Sequence, residues 1–391
     1  MKKRLLAVFL CAVMAVSVGA CGASNKQNTE NVQSTENIGN TEKYDGELPS
    51  VTKLADYSDM SVVLSGDYAI NDEVLDAYFT TVLSNAGVGI IKVTDRDTVQ
   101  AGDIVNTDYT GRVNGLKFEG GSTIDAEGNS NPQLIDVDNN CGYDASTGSS
   151  SGGFIDGFTD GLIGAKIGEE KDGDVVFPET YDRDSKLEDG STLNLANQPA
   201  TFTFVVREIY EVVTPENITD ELVAENFSKT YEVNTVAEFM DFIEKELAYN
   251  YTINYLIANS TIDIPETYLN ARLNDYQAYF EELYCKETDI NTYLSSYGYT
   301  LEGMQAQWLE QLKSQIQAEV IFAAMLEHDK LVVDEAAHET YVKDVMNANS
   351  GYFASATDLY RYSGGGNAEA GEAYLKNQGT VRDYFIANYD K

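Results

Sequence analysis

A glycine-punctuated stretch at residues 152–181 constrains the fold of this chain more than any other part of the sequence. It begins GGFIDGFTDGLIGAKIGEE and, after KDGD, continues as VVFPETY. In its first part apolar side chains recur every three or four residues, which predicts a short helix with one apolar face. Gly164 and Gly168 then flank a tight reversal, and residues 174–177 have the pattern of a strand that stops at Pro178.

A second block lies upstream, at residues 101–122, and alternates apolar and polar side chains. The alternation is interrupted at Asn114-Gly115 and then resumes. This is the pattern of a β-hairpin with a two-residue turn.

Four segments follow one another in these two blocks: GDIVNTDYTG, FEGGS, GFIDGFTDGLIGAKIGE and FPETY. In this order they resemble an FKBP-type peptidyl-prolyl isomerase domain, and more closely the version carried inside trigger factor. The resemblance continues to about residue 213, after the strand ATFTFVVREI. It implies an antiparallel β-sheet wrapped around a short helix, with the activity of a peptidyl-prolyl cis-trans isomerase.

The resemblance also implies which residues would bind a prolyl substrate. Ile155 resembles the residue that packs on the prolyl ring and whose backbone N–H holds a substrate carbonyl. Tyr181 resembles the hydroxyl donor at the rim, and Glu119 the acidic group that faces the twisting carbonyl. Taken singly, aromatic residues at such spacings are equally ordinary core, and Glu119 is equally a solvated turn residue; their joint occurrence in family order carries the assignment. The side chains that resemble the walls of the aromatic cup are Tyr109, Phe118, Phe154, Phe158 and Phe202, with Phe158 at the floor.

Isomerisation of an Xaa-Pro bond needs no nucleophile. The barrier to rotation is about 18–20 kcal/mol. At the twisted transition state amide resonance is lost, so the carbonyl carries less charge than it does in the planar ground state. A dry aromatic cup therefore favours the transition state over the hydrated substrate. The absence of histidine from this region is compatible with such a mechanism.

The sequence departs from the family pattern between the two blocks. Residues 123–142 form an insertion, and a loosened YDASTGSSSGGF follows it. The spacing of the oxygen-bearing residues here is similar to that of a calcium loop, but Cys141 occupies the sharp-turn position and Thr147 the bidentate one. The oxygen-bearing residues are Asp136, Asp138, Asn140 and Asp144. The glycine- and serine-rich run lacks the lysine of a phosphate loop. We therefore expect a solvated loop followed by a flexible lip, and the pocket wall contributed here is in doubt.

Composition excludes several classes of function. The formal net charge of −38 argues against a basic nucleic-acid-binding surface and disfavours sites for phosphates or nucleotides. Two histidines and no CxxC motif leave no material for a zinc or Cys-His catalytic site, so we expect neither a metal nor a cofactor. Cys141 and Cys285 would remain in the mature chain, and the sequence neither assigns nor excludes a disulfide between them.

The first twenty residues have the pattern of a signal peptide: a charged start, KKR, and an apolar run too short to span a membrane. The following Val-Gly-Ala-Cys resembles a bacterial lipobox, which implies cleavage before Cys21 and a lipid on its sulfur. The alternative is an ordinary secretory peptide with a coincidental cysteine. Both interpretations place the mature chain outside the cytoplasm. Residues 21–50 are polar and predict a disordered tether.

Residues 51–99 predict a lead-in that packs with the C-terminal domain. It consists of a strand at residues 60–64 and a helix capped by Asn71. A similar lead-in precedes the isomerase domain of trigger factor. The ribosome-docking loop of that family, with a Gly-Phe-Arg-x-Gly-Lys pattern, is not found here. Ribosome binding is therefore not expected.

From residue 214 onward the pattern is helical. A capping box opens a helix at Thr235, Pro265 opens the next, and Thr300 starts a third, long one. The segments DIPETYLNARL and LKSQIQAEVIFAAMLEHDKLVVDEAAHETYV resemble the C-terminal arm domain of trigger factor, whose apolar flanks suit a chaperone cradle for unfolded segments. The alternative is a purely structural spacer. His328 and His338 lack a common helical face and are expected at the surface.

These observations predict an α+β multidomain chain. Its parts are a signal peptide at 1–20, a tether at 21–50, a lead-in at 51–99, an FKBP-like domain at 100–213 and an all-α, trigger-factor-like chaperone domain at 214–391. The predicted function is isomerisation and chaperoning of unfolded or proline-containing secreted polypeptides. The protein would be attached to the membrane through a lipid anchor at Cys21. One rival is a binding-only chaperone with a degenerate pocket. Another is a solute-binding or adhesion lipoprotein, which would need a two-lobed α/β pattern or sandwich repeats that the sequence does not show.

Overall fold

The computed structural model describes residues 44–145, 148–348 and 352–389. The predicted signal peptide, Cys21 and most of the predicted tether lie outside the described residues. The chain divides into two compact units. The sheet unit comprises residues 72–240, and the helical unit combines residues up to 71 with those from 241 onward.

The sheet unit is built on an eight-stranded antiparallel sheet. Its path runs β2-β11-β3-β5-β6-β7, with β4 paired to β3 and β8 paired to β11. A separate two-stranded ladder joins β9 and β10. The strands are β2 (Ile90–Lys92), β3 (Ile104–Val113), β4 (Leu116–Ser122), β5 (Gln133–Asp136), β6 (Cys141–Asp144), β7 (Ser149–Gly153), β8 (Glu170–Val176), β9 (Asp184–Lys186), β10 (Thr192–Asn194) and β11 (Pro199–Val212).

The predicted hairpin at residues 101–122 is confirmed. Strands β3 and β4 pair antiparallel, with Val113 opposite Leu116. The two turn residues, Asn114 and Gly115, have φ of 53° and 82°, the left-handed values that a type I′ turn requires at both positions. Asparagine and glycine tolerate this backbone best, which is why the turn was visible in the sequence.

The short helix predicted after Gly153 is reduced to a single 3₁₀ turn, Thr159–Gly161. Gly157 and Gly164 adopt left-handed φ values of 82° and 80°, which interrupt an α-helix. The apolar spacing still has its packing role, because Phe158 and Leu162 are almost fully buried in the core of the sheet unit.

The expectation of a solvated loop at residues 123–142 holds for the exposed residues 125–131 and is wrong for the rest of the segment. The segment contributes β5, which pairs with β3, and the first residues of β6. The predicted lip is a strand as well, since β7 pairs with β6. Asp136 is buried, but its carboxylate accepts bonds from the backbone and side-chain N–H groups of Asn139 and from the Ser150 hydroxyl. Satisfied polar groups of this kind can be buried without an apolar signature in the sequence.

The helical unit also contains a short ladder between β1 (Ser50–Lys53) and β12 (Thr261–Asp263). Its main core is formed by side chains such as Tyr249, Phe322 and Leu375. A second cluster surrounds Trp308 and Leu312. Within the described residues of both units, the α-helices are α1 (Met60–Val63), α2 (Asp72–Ala86), α3 (Asp220–Tyr231), α4 (Val236–Asn259), α5 (Glu266–Tyr284), α6 (Ile290–Ser296), α7 (Leu301–Asp329), α8 (Glu335–Ala348), α9 (Ala356–Ser363) and α10 (Ala368–Asn388).

The helix starts predicted from capping residues are confirmed. Thr235 accepts a hydrogen bond from the Glu238 amide, and the Glu238 carboxylate accepts one from the Thr235 amide, which completes the capping box before α4. Thr300 caps α7 by accepting from the Gly303 amide. Pro265 occupies the position before α5 rather than its first turn.

Two local predictions in the helical unit are wrong. Residues 60–64 form α1 and not a strand, because the Asp59 side chain accepts from the Ser61 amide and starts a helical turn. His338 is buried, with its Nε2 3.1 Å from the Tyr360 hydroxyl, whereas His328 is exposed as expected. Burial lowers the pKa of His338.

The unit boundaries differ from the domain boundaries drawn on the sequence. Helix α2 belongs to the sheet unit although the sequence grouped it with the C-terminal domain, and so does α3. Phe239, in the first turn of α4, stacks on Phe227 of α3 and meets Phe79 of α2 edge-on, so these three rings share a core within the sheet unit. Among the described residues, no helix is long and apolar enough to cross a membrane. The multidomain α+β fold class, with a central antiparallel sheet and many C-terminal helices, is confirmed.

Candidate functional site

Phe158 lies at the centre of an aromatic cluster on the inner face of the sheet. Its ring stacks on Phe154 at 4.4 Å between centroids, and it meets Tyr109 and Phe202 edge-on at 5.2 Å and 4.9 Å. Phe204 approaches from a third side at 5.1 Å. Four of the predicted wall residues therefore form one contact group, with Phe158 at its floor.

Strand pairing explains why residues so far apart in sequence meet here. On β3 and β11, Tyr109 lies opposite Phe204 and Gly111 lies opposite Phe202. Gly111 leaves the space that the rings occupy, since a Cβ there would lie 2.6 Å from Cε1 of Phe202 and 2.7 Å from Cε1 of Phe118. Period-2 alternation then directs these side chains to the same face of the sheet.

The cluster continues outward to the remaining aromatic residues. Phe118 contacts Phe202 at 6.0 Å and Phe177 at 5.7 Å, and Phe177 contacts Tyr181 at 4.9 Å. Phe158 is 2% exposed, Phe202 5% and Phe118 8%, whereas Tyr181 is half-buried. The exposed fraction of the rings thus increases from Phe158 at the floor of the cluster to Tyr181 at its rim.

The polar groups at the rim are few. Burial raises the pKa of Tyr109, so its hydroxyl is neutral at ordinary pH, and it donates to Oε1 of Gln133 at 3.1 Å. The Tyr181 hydroxyl has no hydrogen-bond partner among the described residues. Ile155 packs against the core from the rim. Its backbone N–H likewise has no acceptor within the part of the chain that the structure describes.

Glu119 is not brought to the rings. It is exposed on β4, next to the buried Phe118, and neighbouring side chains of a strand point to opposite faces. Its carbonyl oxygen instead accepts from the Ser185 hydroxyl at 3.0 Å, which ties β4 to β9. The structure therefore gathers seven of the eight predicted cup residues and leaves this carboxylate outside the group.

Sequence reasoning missed three residues of the site. Phe177 ends the strand predicted at residues 174–177, and Phe204 lies in the strand ATFTFVVREI. Each follows another apolar residue by two positions, and this period-2 spacing was a signal that could have found them. Asn140 falls in the segment that the sequence predicts to be a solvated loop. Its side chain contacts the segment that carries Phe154 and Ile155, and no periodic pattern marks such a residue.

A buried carboxylate supports the sheet behind the site. Asp108 accepts hydrogen bonds from the hydroxyls of Thr123 and Ser130 and from Nε and Nη2 of Arg207, at 2.7–2.9 Å. Burial alone would raise the pKa of Asp108, but these hydrogen bonds and the charge of Arg207 outweigh it and hold the pKa below its usual range. The network fastens residues 123–130 to β3 and β11.

The site offers no obvious ligands for a metal. No group of three or more histidine, cysteine, aspartate or glutamate side chains with suitable geometry occurs in the described ranges. Cys141 and Cys285 are both free thiols. What remains is an aromatic cluster beside an N–H and a hydroxyl that have no partner in the part of the chain that the structure describes, an arrangement that suits an apolar ring flanked by amide carbonyls.

A solved structure of the trigger factor chaperone aligns with 88% of this chain and 79% of its own, at 15% sequence identity. The TM-score of this alignment is 0.31.

Sequence comparison finds similarity to trigger factors. The trigger factor of Staphylococcus saprophyticus is 28% identical over 295 residues, and that of Staphylococcus epidermidis is 27% identical over 319. These alignments cover 72% and 78% of this chain but only 60% and 65% of the relatives, so the chain spans less than two thirds of their length. Residues 95–207 match the family of FKBP-type peptidyl-prolyl cis-trans isomerases. The chain is therefore similar to trigger factors, and the part of its sheet unit at residues 95–207 matches the FKBP-type isomerases.

Proposed function

We propose that the sheet unit catalyses cis-trans isomerisation of Xaa-Pro bonds. The observation that carries the proposal is the aromatic cluster around Phe158, with the Ile155 N–H and the Tyr181 hydroxyl beside it, neither of which has a hydrogen-bond partner among the described residues. The match of residues 95–207 to FKBP-type isomerases supports the same activity.

The cup would act by binding and desolvation. The prolyl ring enters the aromatic walls, and the Ile155 N–H donates to a substrate carbonyl, which fixes the chain on one side of the rotating bond. The twisted amide carries less charge on its carbonyl than the planar one, so an apolar site stabilises it relative to the hydrated substrate. No proton is transferred, and Glu119 is not required.

In the helical unit, an exposed aromatic surface supports a chaperone role. Leu283, Tyr284, Tyr297 and Tyr299 are 42%, 51%, 65% and 54% exposed. Tyr293 joins them, with its ring 6.2 Å from Tyr284 and 5.2 Å from Tyr297. We call these five residues the tyrosine patch. Exposed patches of this kind mark interaction sites, and the patch would contact apolar segments of unfolded clients.

We further propose that the protein works outside the cytoplasm on newly secreted chains, anchored by a lipid on Cys21 and without binding ribosomes. The support is the signal-peptide pattern and the Val-Gly-Ala-Cys sequence. Mass spectrometry of the N-terminal peptide from the bacterial membrane fraction tests the anchor. We expect a lipid-modified Cys21, and a Cys21→Ser variant that leaves the membrane. An unmodified N-terminus that begins at Met1 would contradict this part of the proposal.

One observation favours the alternative of a binding-only chaperone. The Tyr109 hydroxyl is already engaged by Gln133, and Glu119 is exposed on β4 and outside the ring contacts. If catalysis required either group to face the substrate, the pocket would still bind proline but would not accelerate rotation.

A proline-limited refolding assay distinguishes the two functions. We expect the wild-type chain to accelerate the slow phase, and Phe158→Leu and Tyr181→Phe to reduce the acceleration. Two matched controls, Phe227→Leu in the buried core outside the cup and Tyr143→Phe on β6, should leave it unchanged. Absence of acceleration by the folded wild-type chain, with aggregation of the client still suppressed, would refute the isomerase and favour the binding-only chaperone.

A further inference from the structure

Asn140 occupies an unusual backbone position at the entrance to β6. Its φ is 50°, in the left-handed region that few residues other than glycine and asparagine adopt readily. Its carbonyl oxygen accepts a 2.8 Å hydrogen bond from the Phe154 amide. The turn between β5 and β6 thus presents both the backbone and the side chain of this residue to the segment that enters the cup.

The side-chain amide of Asn140 forms four contacts with that segment. Its Nδ2 donates to the carbonyl oxygens of Phe154 and Ile155, each at 3.1 Å. Its Oδ1 accepts from the backbone N–H and from the hydroxyl of Thr159, each at 3.2 Å. One side chain therefore spans residues 154–159 and binds the segment on both sides of Phe158.

These contacts determine which groups of the segment remain available. Because the Ile155 carbonyl is held by Asn140, the orientation of the neighbouring peptide planes is restricted. The Ile155 N–H remains without an acceptor among the described residues. Phe154 and Phe158 bracket Ile155, and their rings stack at 4.4 Å within the same restrained segment. A donor held in advance at the substrate carbonyl costs no reorganisation during the reaction.

We propose that Asn140 is a positioning residue for the proline site: it holds residues 154–159 so that the Ile155 N–H and the Phe158 ring face the substrate together. The inference rests on the proposed isomerase function. It assigns a role in the site to the part of the chain where the sequence departs from the family pattern. Asn140 itself does not touch the substrate.

The adjacent Asn139 provides a matched control. Its backbone N–H and Nδ2 both bond to the Asp136 carboxylate, within the same turn, at 3.0 Å and 2.8 Å, and among the described residues they have no other partner. Asn139→Ala therefore removes a comparable local hydrogen bond without releasing residues 154–159.

Two substitutions of Asn140 separate its contacts. Asn140→Asp keeps the size of the side chain and an acceptor for Thr159, but it replaces the donor by an oxygen that repels the two carbonyls. Asn140→Gly tolerates the left-handed backbone and removes the side chain, so it serves if the charged variant folds poorly. Hydrogen exchange across β3 and β11 reports whether each variant retains the fold.

The test is the isomerisation rate of an Xaa-Pro peptide by the full chain. We expect kcat/KM to fall about tenfold to hundredfold for Asn140→Asp, since small misplacements of reacting groups cost this much. Asn139→Ala should stay within about twofold. If a variant keeps the hydrogen-exchange protection of the wild-type chain but changes kcat as well as KM, the effect is due to positioning of the site and not to loss of stability. Wild-type kcat and KM in both Asn140 variants would overturn the inference alone, whereas an inactive wild-type chain would overturn the proposed function and the inference with it.

Discussion

Gly111 offers the most direct test of the aromatic cup, because a single methyl group placed there collides with two of its walls. In Gly111→Ala the new Cβ would lie 2.6 Å from Cε1 of Phe202 and 2.7 Å and 2.8 Å from Cε1 and Cζ of Phe118. Carbon atoms in favourable contact are about 3.5–4.0 Å apart. Both rings must therefore move by about 1 Å, or β3 must shift against β11.

The expected magnitude follows from the packing around these rings. Phe118 and Phe202 are 8% and 5% exposed, so they can move only towards the mouth of the cup or into a filled core. Overpacking of this kind costs about 1–3 kcal/mol. Movement towards the mouth narrows the site for a prolyl ring. If the same free energy is lost at the transition state, kcat/KM falls by about tenfold to hundredfold.

The assay combines the isomerisation of an Xaa-Pro peptide with hydrogen exchange of the sheet unit. Gly153→Ala is the matched control, since a Cβ there meets no atom within 4 Å, and it should leave both measurements unchanged. If Gly111→Ala exchanges faster in β3 and β11 but isomerises at the wild-type rate, the proline does not bind between these rings. If neither measurement changes, the packing argument itself is wrong.

Three further perturbations test the supporting structure. Because the folded pKa of Asp108 is lowered, its contribution to stability is present above its unfolded pKa of about 4 and is lost as pH falls through the folded value. Asp108→Asn should therefore reduce the loss of stability at acid pH, which hydrogen exchange in β3 measures. Gly366→Ala should destabilise the helical unit by more than about 1 kcal/mol in urea unfolding monitored by fluorescence, because its Cβ would lie 2.3 Å from the Asp275 carbonyl oxygen and its φ is 92°. Arg272→Met should cost about 3–5 kcal/mol in the same assay, because it leaves Glu319 without its buried partner; an unchanged midpoint would refute either of the last two predictions.

Local signals predicted those parts of the fold that depend on short-range chemistry. The hairpin turn at Asn114 and the capping box at Thr235 each concern residues within a few positions of one another, and both are present. The pattern at residues 60–64 failed because five residues fit a strand and a helical turn about equally well. The side chain of Asp59, which decides the outcome by capping α1, lies just outside that window.

Burial of polar side chains was the main feature that the sequence did not reveal. Asp136 falls in the loop predicted to be solvated and His338 is predicted at the surface because it shares no helical face with His328, yet both are buried. In each case a partner from another part of the chain satisfies the polar atoms, the Ser150 hydroxyl for Asp136 and the Tyr360 hydroxyl for His338. Partners 14 and 22 residues away leave no periodic pattern.

In the candidate site, too, some residues could be assigned from the sequence pattern, whereas the role of others depends on tertiary contacts. The aromatic walls could be assigned by resemblance, because they lie on strands whose order and spacing are kept. The resemblance also assigned Glu119 a role, yet strand alternation turns this exposed carboxylate away from the buried Phe118. Conversely, Asn140 contacts the cup segment from a region that resemblance had set aside. The proposed chemistry requires an apolar site and a fixed donor rather than a charged group. A site in which Asn140 holds the segment and the Glu119 carboxylate takes no part is therefore compatible with catalysis. Acceleration of Xaa-Pro rotation by the folded chain therefore distinguishes the isomerase from the binding-only chaperone, and Asn140→Asp tests whether the restraint of residues 154–159 contributes to that acceleration.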